Sequence, residues 1–163
     1  MLCCSTRFKN LKNRMLTWKE MSDKYGTNSL TNFDLMKIAR DLKLKPFRVV
    51  MRNELLKLPK TTKNIIINLD SSRGEGTHWV CLYNTPDYKF YFSSFGDNPP
   101  KEVIKFFNRS EAPVREYSDT QIQEFNTFYC GQISIYILYC LNHNMNPNEV
   151  IFSLLKKDRE AHL

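Results

Sequence analysis

The stretch "FNTFYCGQISIYILYC", Phe125 to Cys140, sets Cys130 where a polar loop runs into an apolar helix. Unpaired N–H groups and the helix dipole favour negative charge at that point, which lowers a thiol's pKa and raises its thiolate fraction. Gly131 follows, with no side chain to hold a substrate backbone away. In "GEGTHWVCLYN", Gly74 to Asn84, His78 stands between a glycine-bearing loop and the start of a hydrophobic strand. An imidazole there can reach a thiol across a cleft as its general base. Gln123, in the polar loop before the helix, supplies an amide that can donate to an oxyanion beside the Cys130 N–H. Each residue has a plainer role open to it: a small buried hydrophobe, a satisfied histidine, a solvated amide. Cys81 and Cys140 fit the first of these, since each lies within an apolar element.

The chain around these residues is 163 long, which fits one domain over residues 1–163, opened by a basic arm or helix over 1–27. With 42% hydrophobic and 13% aromatic residues it can bury a core, and its apolar runs fall well short of a bilayer span. The first residues carry no secretory signal pattern. Five cysteines, with no CxxC pair and only three scattered histidines, point to free thiols in a reducing compartment rather than to disulfides or zinc. The net charge of +7 would attract a polyanion such as DNA non-specifically, but no sequence-reading motif accompanies it.

Several elements can be placed to position the three candidates. "SLTNFDLMKIARDLK" is an amphipathic helix capped by Thr31, with Phe33, Leu35, Met36, Ile38, Ala39 and Leu42 on its apolar face. "FRVVM" is a short strand, and the β-branched run "NIIINL" is a strand buried on both faces. "HWVCLYN" and "YKFYFS" form a hairpin about "TPD", and "APVREY" is an edge strand because of Pro113. Helices follow at "NPPKEVIKFFN", Gly131 to Asn142 and "NPNEVIFSLLKK". Two groups of helices around a mostly antiparallel sheet make an α+β fold. If Tyr83 pairs with Tyr88 across the hairpin, Ser93 lies opposite His78 with Cβ atoms about 5 Å apart.

The order "GTHW", a hairpin ending "YFSSFG", then "Q-x6-CG" at the entry to an apolar helix resembles the adenovirus-type (adenain-like) cysteine proteases and the proteases for ubiquitin-like proteins. Residues 28 to 142 carry the likeness. The stretch from "LTNFDLMKIARDLKLKPF" to "NIIINLDSSRGEGTHWV" looks most like the capsid-maturation proteases of virophages and Polinton-type elements. The resemblance implies a papain-like α+β fold with Cys130 as nucleophile, His78 as base and Gln123 as oxyanion donor. Trp79, Gly76 and Gly131 would contact substrate. It further implies a monomeric viral endopeptidase that processes capsid precursors in the virion and the cytoplasmic viral factory, with no membrane partner. It implies no metal or small-molecule cofactor, although a peptide or DNA activator occurs in such proteases. The family places Asp, Glu or Asn where this chain has Ser93, so the residue that orients His78 stays open between Ser93, Asp97 after the Gly96 turn, and Asn84.

Overall fold

The computed structural model describes residues 14–70, 78–124 and 126–161, with no side-chain placement given for 157–161. Helix α1 (Trp18–Tyr25) and helix α2 (Asn32–Asp41) come first, and each opens on a reciprocal cap. Thr17 accepts from the Glu20 N–H while Glu20 reaches back, and Thr31 and Asp34 do the same for α2. Such caps satisfy amides that the first helical turn leaves without partners. Strand β1 (Phe47–Met51) leads through a 3-10 turn (Arg52–Lys57) to β2 (Asn64–Asn68). The hairpin β3 (Trp79–Asn84) and β4 (Tyr88–Phe92) follows, then helix α3 (Lys101–Phe107) and strand β5 (Val114–Tyr117). Helices α4 (Cys130–Asn142) and α5 (Pro147–Ala161) close the described chain.

The five strands lie in chain order, antiparallel through β2, β3 and β4 and parallel at both edges, where β1 meets β2 and β5 meets β4. The period of two splits the strands between two cores. Ile66, Cys81, Phe90 and Phe92 face α1, α2, α4 and α5, whereas Ile65, Ile67, Val80, Leu82 and Tyr91 face the 3-10 turn and α3. Strand β2 is therefore buried along its whole length, and each fully buried isoleucine contributes roughly 1.5–3 kcal/mol. Helix α4 runs through the larger core with Gly131 to Leu141 all buried. Among the described residues no helix is long and apolar enough to cross a membrane.

Two readings of the sequence are corrected. Phe33 is 72% exposed and Met36 also lies open, so the buried face of α2 is only Leu35, Ile38 and Ala39. The stretch read as a basic arm or helix over residues 1–27 contains, in its described part, the capped helix α1. The hairpin register is displaced by two residues: Tyr83 faces Phe90, and Cys81 faces Phe92. The cause is a tighter turn. The Thr85 amide donates to the Tyr88 carbonyl at 2.9 Å and the Tyr88 amide to Thr85 Oγ1 at 3.0 Å, which closes a loop of only Pro86 and Asp87. A displacement by an even number keeps every side chain on its own face. Ser93 therefore stays on the side of His78, although pairing carried past Phe92 would bring Phe95 opposite it.

Candidate active site

Cys130 is the first residue of α4, and Tyr129 before it offers no side-chain cap. The unpaired amides turn to the thiol instead. The Trp79 N–H lies 3.5 Å from Cys130 Sγ, and the N–H groups of Gly131 and Cys130 also favour its thiolate form. Burial is the larger influence and pushes the thiol above its ordinary value. The low thiol pKa read from the helix start is thus corrected: the dipole acts in the expected direction, but loss of water outweighs it.

Trp79 fixes where this thiol sits. Its indole N–H donates to the Leu30 carbonyl at 3.0 Å, and its own carbonyl accepts from Ser134 on α4 at 3.2 Å. Gly131 is buried against it. A Cβ at Gly131 would come within 3.3 Å of the Trp79 ring and 3.4 Å of Leu30 and Leu35. The close approach that Gly131 permits is therefore made by Trp79, in place of the substrate backbone expected there. Gly76 lies outside the described residues.

His78 precedes Trp79, and its carbonyl accepts the Leu69 amide at 2.8 Å, extending the pairing of β2 with β3. The imidazole is buried and stacks on Phe95 with ring centroids 4.5 Å apart. Nε2 lies 3.1 Å from Ser93 Oγ, while Nδ1 is buried with no hydrogen-bond partner. Burial lowers the histidine's pKa to about 4, against an upward pull from the Asp97 charge. Thiol and imidazole are accordingly both neutral near pH 7.

This shift predicts a stability effect. In the unfolded chain His78 takes up a proton near 6.5, whereas in the fold it resists until about 4. Between those values the unfolded state binds more protons, so acidification through the window weakens the fold. Denaturant titrations between pH 7 and pH 4 should show His78→Gln losing less stability than the parent. An equal loss in both would contradict the neutral buried imidazole.

One turn serves two candidates. Ser93 to Gly96 closes with the Gly96 amide on the Ser93 carbonyl at 2.9 Å. Gly96 has φ +76, and a Cβ there would come within 2.7 Å of the Asp119 carbonyl oxygen, so the position needs glycine. Ser93 points to His78, whereas Ser94 donates to Gln123 Oε1 at 2.5 Å and accepts the Gln123 amide on its carbonyl at 2.9 Å. Gln123 Nε2 donates to the Thr127 carbonyl at 2.9 Å, three residues before Cys130. One of its two N–H groups is thereby committed; no other acceptor for Nε2 is found among the described residues. Asn84 is excluded as the orienting residue. It lies at the far end of β3, where its amide holds the Lys60 and Thr62 carbonyls. Sequence reading missed Phe95 and Ser94, which "SSFG" contains but does not aim. Among the described residues no group of three or more His, Cys, Asp or Glu could hold a metal ion.

A five-stranded mixed sheet flanked by helices, with a histidine just before one strand and a cysteine at the head of a buried helix, is the adenain-like α+β fold. No family model matches the chain. It is similar to the SUMO-1 cysteine protease of African swine fever virus, Warthog/Namibia isolate, with 26% identity over 110 residues. The cysteine protease of the Badajoz strain matches equally. The match takes in 64% of this chain and 36% of either relative, so it spans about a third of their length. Two crystal structures of the African swine fever virus protease share the fold. One, in selenomethionine form, has a TM-score of 0.57 at 16% identity, covering 92% of this chain and 74% of the other. The second has a TM-score of 0.55 at 17% identity, covering 90% and 72%.

Proposed function

We propose that the protein is a viral cysteine-type endopeptidase that cuts capsid or virion precursor proteins during maturation. The observation that carries this reading lies at the start of β3, where the Cys130 thiol rests on the Trp79 amide and His78, the residue before Trp79, has a buried Nδ1 with no hydrogen-bond partner. The likeness to viral cysteine proteases supports the same chemistry.

The reaction follows from the groups in place. Cys130 gives its proton to His78 Nδ1 as Sγ bonds to the scissile carbonyl carbon. Because both groups are neutral at rest, the proton moves with the attack rather than before it. The carbonyl oxygen becomes an oxyanion, held by the Cys130 N–H and the uncommitted Gln123 N–H. The C–N bond then breaks, the amine leaves with the proton from His78, and a thioester remains on Cys130. Water attacks next, giving its proton to Nδ1; the C–S bond breaks and the thiol recovers that proton. No metal or small-molecule cofactor enters these steps. Trp79, whose amide lies against the thiol, belongs by the resemblance to adenain-like proteases to a narrow cleft that takes small residues such as a Gly-Gly pair.

A second reading, a protease for ubiquitin-like modifiers, is favoured by the SUMO-1 designation of the viral relative. Two fluorogenic substrates with one leaving group separate the readings: intact SUMO-1 and a free Gly-Gly-ending peptide. A precursor-processing endopeptidase turns them over with comparable kcat/KM and cuts the capsid precursor of its own genome at defined bonds seen by mass spectrometry. A modifier protease prefers SUMO-1 by several orders of magnitude. Failure to cleave any of the three would overturn both.

A further inference from the structure

The position facing His78 Nε2 holds a hydroxyl, and its hydrogen bonds assign a direction to every proton around it. Ser93 Oγ lies 3.1 Å from Nε2, 3.4 Å from the Phe95 N–H and 3.4 Å from Asp97 Oδ2. A hydroxyl has one hydrogen to give and two lone pairs to receive. The Phe95 amide can only donate and a carboxylate can only accept, so the single Ser93 hydrogen goes to Asp97. His78 must then donate from Nε2, which leaves the lone pair on Nδ1, the atom that has no partner. The turn makes this possible. Gly96, in its left-handed conformation against Asp119, reverses the chain so that Asp97 returns over Ser93.

We infer that Asp97 and Ser93 act together as positioning residues, a carboxylate–hydroxyl relay that fixes the Nε2–H tautomer of His78 and steadies its protonated form during the reaction. The inference rests on the protease reading for its consequences in turnover, but the tautomer itself does not. Ser93 alone would supply a neutral partner; Asp97 adds the charge, transmitted through one hydroxyl. The carboxylate is exposed and the second link long, so solvent screens it and the effect is moderate. Such links tighten once charge develops at the base. Among the described residues, Asp97 is the titratable group whose charge bears on His78, and it bears on the Tyr91 hydroxyl of β4 as well; the Cys130 thiol lies against the amide of the next residue, Trp79. Asp97 is the one whose charge draws the imidazole pKa upward, against burial.

The test combines Asp97→Asn, Ser93→Ala and Ser93→Asp with imidazole NMR and kcat/KM–pH profiles, folding being checked for each. Asp97→Asn and Ser93→Ala should each lower kcat/KM about threefold to tenfold, the size of one neutral or screened hydrogen bond. The double variant should lose no more than Ser93→Ala alone, because the relay is already cut. In the Ser93→Asp background, Asp97→Asn should have no effect, and His78 should titrate at higher pH than in the parent. Parental nitrogen shifts should report Nε2–H, with its population falling in Asp97→Asn. Losses that multiply in the double variant, an Nδ1–H tautomer, or a histidine titration indifferent to Asp97 would each overturn the relay. The NMR arm needs no turnover. A parent that cleaves nothing but keeps an Asp97-dependent Nε2–H tautomer would therefore support the relay while removing the protease reading.

Discussion

Cys130→Ala abolishes hydrolysis of any substrate the parent cleaves, lowering kcat by about a millionfold, the order lost when a protease forfeits its nucleophile. The fold survives, because only one atom is removed from a half-buried site and alanine suits a helix start. Cys81→Ala and Cys140→Ala behave in the opposite way. Both thiols are fully buried and packed in the core, so their loss costs stability of about 1 kcal/mol and leaves kcat/KM unchanged. Burial also raises the Cys140 pKa to about 11, which leaves it almost wholly protonated near neutrality. Activity retained in Cys130→Ala, measured on enzyme free of the parent, would remove the thioester route.

Gln123→Ala is expected to lower kcat by about 10²–10³, or roughly 3–4 kcal/mol of transition-state stabilisation, as for the loss of one oxyanion donor. The structure adds a second consequence. Gln123 is only 1% exposed and satisfies both the Ser94 hydroxyl and the Thr127 carbonyl. Truncation leaves those groups without a partner at about 1–3 kcal/mol each, so Tm should fall as well. Gln123→Glu separates the two effects. It keeps the acceptor that Ser94 uses and fills the same volume, yet places an acceptor where the oxyanion needs a donor. Its kcat should fall at least as far as that of Gln123→Ala. A Gln123→Glu variant with parental kcat would reduce Gln123 to a brace for the loop.

What could be read from the sequence were features with local causes. Thr31 three residues before Asp34 gives the α2 cap, the unbroken Ile65 to Ile67 run gives a strand covered on both faces, and Pro113 marks β5 as an edge. The loop-to-helix junction at Cys130 appears where the polar residues end. What could not be read depended on tertiary contact. The hairpin register hinged on the Thr85 hydroxyl, which closes a two-residue loop and moves every pair by two positions. The orientation of His78 depends on the reversal at Gly96, which has meaning only once Asp119 is packed against it. Lys89 shows the same limit. A charged residue within the strand "YKFYF", it is buried, with its ammonium on Asn84 and over the Phe107 ring. The balance that raises the Cys130 thiol is a burial effect, and spacing carries no information about burial by distant segments.

The central claim is that Cys130 and His78 form one nucleophilic unit. It is tested most directly by exposing the native protein at neutral pH to a Gly-Gly peptide bearing a vinyl sulfone, then mapping the adduct by mass spectrometry. The account predicts that Cys130 carries the peptide while Cys81 and Cys140 stay unmodified, and that His78→Ala slows this labelling by at least about a hundredfold, the contribution of a positioned base. Equal modification of Cys81 or Cys140 in the folded protein, or labelling of Cys130 at the same rate without His78, would contradict it.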